Sequence, residues 1–327
     1  MSADRNALAS RTLPFMTLSD GKNEHSLTAP PPPLPKSLGG VERAAARFAV
    51  EGNVVITGGA GTLGLSTARA LLEHGASGLC LWDLESTLRT SQSKIVDLAK
   101  DFPHARVFGV SVNVTDTESI AEGVQAVVQT LGSLDHIFCF AGIVACFHAL
   151  EMTDKQWRQT LEINTTGAFL CAQAAAKQMA SQAPKSKAVT TNGDHATNGT
   201  ALSPRGRGGN SITLTASISA HRVNFPQPQV AYNVSKAGII ALKSSLAAEW
   251  AVHGIRVNSI SPGYMDTILN AGDGSIKEAR DSWASRNPMG RMGSVGELDG
   301  VCVLLASGAG SYINGADFVV DGGACCF

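Results

Sequence analysis

Short β-branched or apolar runs alternate with stretches of helical period along most of the chain. Asn53-Val54-Val55-Ile56-Thr57 reads as a buried strand, and Leu65 to His74 as the helix after it. Gly78 to Trp82 is a second strand, ending at Asp83, with a helix around Ser91 to Lys100. Arg106 to Val112, Asp135 to Phe140, Ser211 to Thr215, Ile255 to Ile260 and Asp317 to Val320 read as five more strands. Helices fall at about Thr117 to Leu131, as one long element within Asp154 to Met179, and over the apolar run Ile239 to Trp250 with the residues leading into it. Strands alternating with helices of this length predict an α/β fold with a parallel, doubly wound sheet, whose ligands sit at the carboxyl ends of the strands.

The pattern lapses in two places. Residues 1–40 hold the run Pro30 to Pro33 and few apolar residues, so they read as a flexible, Pro-rich tail ahead of a domain at 41–327. Residues 182–210 lose apolar periodicity to Lys, Asn, Gly, Thr and Pro, and read as a flexible insertion between a helix and the fifth strand.

Composition narrows the function classes. With 44% hydrophobic residues, 16% charged and a formal net charge of −1, the chain is globular in character and carries no charge signal for nucleic acid. No apolar run reaches the roughly 18 residues that span a bilayer, and the first residues lack the apolar core of a secretory signal, so a cytoplasmic protein is expected. The 7 cysteines are odd in number, fit no C-x-x-C pair and form no zinc-ligand spacing with histidine, which predicts reduced thiols and no metal.

Two stretches carry chemistry. After the first strand comes Gly58-Gly59-Ala60-Gly61-Thr62-Leu63-Gly64, in which Gly59, Gly61 and Gly64 fit G-x-G-x-x-G. Between a strand and a helix such a loop turns tightly, admits a pyrophosphate and aims helix N–H groups at the anion. Asp83 lies about 20 residues on, where a carboxylate would bind the ribose 2′-hydroxyl of NAD and repel the extra phosphate of NADP. The second stretch is Ala231-Tyr232-Asn233-Val234-Ser235-Lys236. On a helix Tyr232 and Lys236 share a face, and a neighbouring ammonium favours the phenolate, giving a device for moving a proton on or off an alcohol oxygen. Asn164 falls mid-helix, which for a functional Asn implies a local kink or a held water.

The glycine loop, Asp83, Asn164-x-x-Gly167, Ser217, Tyr232-x-x-x-Lys236, Arg256-Val257-Asn258 and Pro262-Gly263 together resemble the short-chain dehydrogenase/reductase family, over about Phe48 to Phe327. The resemblance implies one Rossmann-like domain with a seven-stranded parallel sheet, helices on both faces, and assembly as a homodimer or homotetramer. It implies that Tyr232 is the general acid/base, that Lys236 holds the nicotinamide ribose and lowers the tyrosine pKa, that Ser217 binds the substrate oxygen, and that Asn164 anchors a water relay. It places Gly58, Gly59, Gly61, Thr62, Leu63, Gly64, Asp83, Asn113, Val114, Ala141, Gly142, Pro262, Gly263 and Thr267 around the cofactor, beside Tyr232 and Lys236.

The chain departs from the family pattern at three points. Thr62 replaces a loop glycine, Asn113 stands where an Asp usually touches adenine, and Cys139-Phe140-Ala141-Gly142 replaces N-N-A-G. The stretches around Ser217, Asn224 to Gln227, Tyr232 and Ser259 to Thr267 look most like the fungal polyol dehydrogenases of the mannitol, sorbose and arabinitol type. The expected activity is hydride transfer between a nicotinamide cofactor and a secondary alcohol or ketone of a polyol, with NAD(H) favoured by Asp83 and NADP(H) as the alternative. A ketoreductase of secondary metabolism and a catalytically silent nucleotide-binding protein are the rival readings. Tyr264 to Arg291 reads as a lid, and Phe225, Tyr264 and Trp283 as an apolar pocket wall.

Overall fold

A computed structural model describes residues 13–19, 26–182, 208–267 and 274–327. Seven parallel strands form one sheet in the order β3-β2-β1-β4-β5-β6-β7. They are β1 Asn53–Thr57, β2 Gly78–Asp83, β3 Arg106–Ser111, β4 His136–Cys139, β5 Asn210–Thr215, β6 Ile255–Pro262 and β7 Asp317–Val320. The predicted strands are all present, each end within a residue of the predicted one except that β6 runs on to Pro262.

Side-chain alternation along the strands builds two cores. On one face Val55, Cys80, Trp82, Ile137, Ile212, Leu214 and Val257 pack with three helices. These are α5 (Thr117–Leu131), α7 (Gly167–Ser181) and α8 (Val230–Trp250). On the other face Val54, Ile56, Leu79, Leu81, Phe138 and Ile260 pack with α2 (Thr62–Glu73), α4 (Gln92–Asp101) and α10 (Asp299–Ala306). Both faces are therefore covered, which is why the central strands read as unbroken apolar runs.

The remaining helices are α1 (Gly40–Phe48), α3 (Glu85–Thr90), α6 (Asp154–Leu161) and α9 (Ser275–Ser285). The predicted tail thus gives way to helix at its last residue. Most of the predicted 182–210 insertion, residues 183–207, lies outside the described residues, as do residues 268–273 of the expected lid.

Strand order reverses at β1. The chain leaves β1 for β2 and β3 on one side, then returns to place β4 on the other. The loops after β1 and β4 consequently flank one crevice, the position at which open α/β sheets bind ligands. Among the described residues no helix is long and apolar enough to cross a membrane, and no group of three or more His, Cys, Asp or Glu side chains could hold a metal ion.

Candidate active site

The glycine loop sits on this crevice, and three of its glycines are required by space. Gly58 has φ +64, a backbone conformation L side chains rarely adopt. A Cβ on Gly59 would stand 2.5 Å from the Ile56 carbonyl oxygen, and one on Gly64 2.6 Å from the backbone of Gly58 and Gly59. Helix α2 therefore starts tight against the loop, with Gly61 as N-cap and Thr62, Leu63 and Gly64 in its first turn. The first N–H groups of a helix have no intrahelical partner and favour an anion in front of them. Thr62 keeps this geometry, since it enters as the first helical residue. Across the crevice the Ala141 N–H donates to Thr57 Oγ1 at 3.2 Å, and a Cβ on Gly58 would lie 2.8 Å from the Ala141 nitrogen. The β1 and β4 loops are thus in contact.

Asn164 ties this crevice to helix α8. The long predicted helix is divided: residues Glu162–Thr166 form one π turn between α6 and α7, and Asn164 lies within it. That turn aims the amide inward, where it is buried. Its Oδ1 accepts the Ile143 N–H at 2.8 Å, and its Nδ2 donates to the Ile143 carbonyl at 2.9 Å and to Ser235 Oγ at 3.1 Å. Ser235 precedes Lys236, and its hydroxyl donates to the Tyr232 carbonyl at 2.7 Å. A Cβ on Gly142 would lie 3.1 Å from Asn164 Oδ1 and 3.8 Å from Lys236 Nζ, so Gly142 runs close to the Asn164 amide and within contact reach of the lysine.

Tyr232 and Lys236 occupy the first turns of α8. The Lys236 Nζ stands 5.6 Å from the Tyr232 ring centre and donates to the Thr215 carbonyl at 2.7 Å. Burial lowers the lysine pKa to about 8. Burial also raises the Tyr232 pKa, opposed by a hydrogen bond with Ser217 and assisted by Tyr264 and Cys146. Desolvation of the phenolate is the largest influence on Tyr232 here, and the lysine, with one of its three N–H groups on the Thr215 carbonyl, keeps donors to offer beside the ring. Ser217 Oγ donates to Ser219 Oγ at 3.0 Å and accepts the Ser219 N–H at 3.1 Å, which pins it at the end of β5. The four expected catalytic side chains therefore converge from β5, α8 and the π turn.

The outer cofactor positions are less uniform. Val114 packs on Gly167, where a Cβ would lie 2.9 Å from Val114 Cγ2. Asn113 turns its Oδ1 onto Thr115, accepting from the backbone N–H at 3.1 Å and from Oγ1 at 2.9 Å, so that oxygen stabilises its own turn. Past Pro262, the Gly263 N–H donates to the Val320 carbonyl at 2.9 Å, and the Thr267 N–H to Met265 at 2.9 Å. Trp283 stacks on Tyr264 with ring centres 4.1 Å apart and planes at 4°. Two amides hold the polar edges of this stack: Asn224 and Gln227 donate to the Tyr264 hydroxyl at 2.8 and 3.0 Å, and Gln227 Oε1 accepts from the indole at 3.1 Å. Phe225, half exposed beneath Arg286, lines a small pocket together with Tyr264 and Trp283.

Residues 52–205 match the family model described as short chain dehydrogenase, and residues 200–325 the one described as Enoyl-(Acyl carrier protein) reductase. The NADP-dependent mannitol dehydrogenase of Alternaria alternata is 36% identical over 286 residues, covering 85% of this chain and 94% of that protein. The chain belongs to the short-chain dehydrogenase/reductase family. This family member is an oxidoreductase acting on alcohol groups. The ribulose-forming D-arabinitol 2-dehydrogenase of Candida tropicalis is 34% identical, with 86% and 95% of the two chains covered. Among solved structures, the NADPH-dependent 3-quinuclidinone reductase of Rhodotorula rubra superposes with a TM-score of 0.74 at 30% identity, covering 90% of this chain and 97% of that one.

The expectation of NAD(H) is corrected by these relatives, since the mannitol dehydrogenase and the quinuclidinone reductase are named for NADP and NADPH. Asp83 does close β2 where the spacing put it. Its carboxylate, however, is turned onto the backbone: Oδ2 accepts the Ala60 N–H at 3.1 Å and Oδ1 the Leu84 N–H at 2.9 Å. It braces the glycine loop, a use of the same residue that the spacing alone does not distinguish from ribose binding.

Sequence reasoning passed over Cys146 and Gln229. The Gln229 amide donates to Cys146 Sγ at 3.2 Å, joining positions 83 residues apart beside Tyr232. Neither lies in a periodic element or a spaced motif, so no local signal marked them.

Proposed function

We propose that the protein is an NADP(H)-dependent polyol dehydrogenase that interconverts a secondary alcohol of a sugar alcohol with the matching ketose. The observation that carries this reading is the convergence of Ser217, Tyr232, Lys236 and Asn164 beside a glycine cradle that any Cβ at Gly59 or Gly64 would fill. The polyol class comes from the relatives named for mannitol and arabinitol.

The residues fit a dinucleotide. Gly58 to Gly64 and the first turn of α2 would take the pyrophosphate, Ala141 and Gly142 would face the nicotinamide half, and Lys236 would hold the ribose next to it. Pro262, Gly263 and Thr267 complete the nicotinamide side, and Asn113 and Val114 the adenine side. When bound, the nicotinamide supplies or accepts the hydride. Tyr232 gives its proton to the carbonyl oxygen in reduction, and its burial keeps that proton in place until it is needed. Ser217 donates to the same oxygen as negative charge develops there. Asn164 holds the Ile143 backbone and Ser235 in register, so that Gly142 and Lys236 stay opposed.

Steady-state assay with D-fructose, with NADPH and NADH supplied separately, tests this reading. Turnover of D-fructose with NADPH preferred at least tenfold in kcat/KM is expected. Turnover with NADH alone would refute the cofactor assignment, and no turnover of any ketose with either would refute the polyol assignment.

A further inference from the structure

A small pocket beyond the carboxyl ends of β5 and β6 takes no part in the chemistry described above. Arg222, Phe225, Tyr264, Trp283 and Arg286 line it, with Val223. Arg222 and Phe225 come from the segment after β5, Tyr264 from the segment after β6, and Trp283 and Arg286 from α9 and its C-cap. The catalytic strand ends fix its place. The Arg222 N–H donates at 3.0 Å to the carbonyl of Ile218, the residue after Ser217, and Tyr264 directly follows Pro262-Gly263. The pocket therefore lies on the edge of the sheet where folds of this type receive their ligands.

Two guanidinium groups line this one pocket, and like charges repel. Among the described residues no Asp or Glu forms an ion pair with Arg222 or Arg286. Neighbouring arginines are treated differently: Arg280 pairs with Asp266 at 2.9 Å, and Arg291 with Glu297 at 2.7 Å. Arg222 places one N–H on the Ala324 carbonyl, and Arg286 stacks on Phe225 with its Cζ 4.7 Å from the ring centre. A guanidinium has five N–H donors, so both side chains keep most of theirs. Stacking holds Arg286 by its flat face and leaves the donor edge, which meets a carboxylate or phosphate bidentately. Arg286 and Phe225 are exposed, so the pocket is open to solvent. The stacked rings of Tyr264 and Trp283 give it a flat apolar wall. Aromatic walls with a few charged groups are the ordinary make-up of a small-molecule site.

Resting on the polyol reading above, we infer that Arg222 and Arg286 are specificity residues that hold a terminal oxyanion of the substrate, a carboxylate or a phosphate at the end of the polyol chain. Two cations without a carboxylate partner call for an anion, which a neutral sugar alcohol lacks. The small size of the pocket suits one such group rather than a whole sugar. Its place beside the Ser217 and Pro262-Gly263 strand ends leaves the rest of the chain on the side of the reacting groups, with its C–H flank along Tyr264 and Trp283. The substrate class narrows to keto acids and phosphate esters of the ketose type, with the matching polyol acids and phosphates. A site built for a charged group disfavours the analogue without it, because its own charges then stay unpaired.

The test compares kcat/KM with NADPH for 5-keto-D-gluconate, D-fructose 6-phosphate and D-fructose. It uses the wild type, Arg222→Gln, Arg286→Gln and the control Arg280→Gln, with NADPH binding as the check that each variant is folded. In the wild type at least one anionic substrate is expected to exceed D-fructose about tenfold or more; the keto acid doing so assigns a carboxylate, the ester a phosphate. Arg222→Gln and Arg286→Gln should each cut that preference about tenfold, through KM more than kcat; tenfold corresponds to about 1.4 kcal/mol. Arg280→Gln removes the same charge from the same helix outside the pocket and should leave the preference unchanged. No preference for either anion, equal losses on charged and neutral substrates, or an equal effect of Arg280→Gln would overturn the assignment. If the wild type reduces none of the three, the polyol dehydrogenase reading fails by itself. Calorimetry with D-gluconate and D-mannitol 1-phosphate then still decides the inference. Binding weakened by Arg286→Gln and not by Arg280→Gln supports it, and no binding of either compound, or binding that Arg286→Gln leaves unchanged, refutes it. Should Arg222→Gln not fold, Arg286→Gln decides alone, because that exposed side chain only stacks on Phe225.

Discussion

Asn164→Ala is the most informative single perturbation of the scaffold. Its amide makes three hydrogen bonds in a buried site: one accepted from the Ile143 N–H, one donated to the Ile143 carbonyl, and one donated to Ser235 Oγ. A net value of about 0.5–1.5 kcal/mol per bond gives roughly 1.5–4.5 kcal/mol for the three. Truncation leaves the Ile143 N–H and C=O, which are only partly buried, to water, so the middle of that range, about 2–3 kcal/mol, is expected. Urea unfolding followed by tryptophan fluorescence measures it, with the slope of the transition unchanged. Catalysis should fall as well, because the β4 loop at Ile143 and Ser235, which precedes Lys236, lose their common partner. The comparison variant is Asn164→Asp. Its carboxylate can still accept the Ile143 N–H but faces the Ile143 carbonyl with a second acceptor, and it should be no more stable than the alanine variant. A loss below about 0.5 kcal/mol in Asn164→Ala would refute the claim that this amide holds the β4 loop to α8.

Three further outcomes are expected. Tyr232→Phe should lower kcat by orders of magnitude while NADPH binding, followed by nicotinamide fluorescence, is retained; near-wild-type turnover would remove Tyr232 from the chemistry. Gly64→Ala should weaken NADPH binding at least tenfold, since the new methyl meets three backbone atoms of Gly58 and Gly59 at 2.6 Å and the loop must move; an unchanged dissociation constant would show that the cradle does not take the pyrophosphate. Lys236, with its pKa lowered from 10.5 to about 8 by burial, makes stability depend on pH in a fixed direction. Between those values the unfolded chain binds more protons at this lysine than the folded one, so its contribution to unfolding free energy rises with pH across that window. Denaturant titrations of wild type and Lys236→Met from pH 8 to 10 should show this rise in the wild type alone, and parallel pH profiles would rule it out.

Much of the fold was legible because the sheet is covered on both sides. Buried parallel strands read as apolar runs such as Val54-Val55-Ile56, and the helices between them kept their period. Helices α1, α3 and α10 escaped for local reasons. Helix α1 buries none of its residues, α3 has only Leu88 buried, and α10 is so apolar that it shows little periodicity. The π turn at Asn164 could not be read either. One inserted residue shifts the register without changing the composition, and its only trace was an Asn where an ordinary helix gains nothing from one.

The site divides along the same line. Tyr232, Lys236 and the glycine loop were readable because their geometry is local, set by one helical turn or one strand-to-helix crossing. Asp83 was readable in place, but the NAD preference drawn from it was not. Both oxygens take backbone N–H groups, from Ala60 and Leu84, so the residue also braces the glycine loop. A carboxylate has acceptor sites beyond those two, so spacing that places it there does not by itself select one cofactor over the other. Gln229 and Cys146 lie at the opposite extreme. They meet only through the fold, across 83 residues of sequence. A linear reading has no local signal by which to join them, whereas Tyr232 and Lys236 are joined by a single turn of helix.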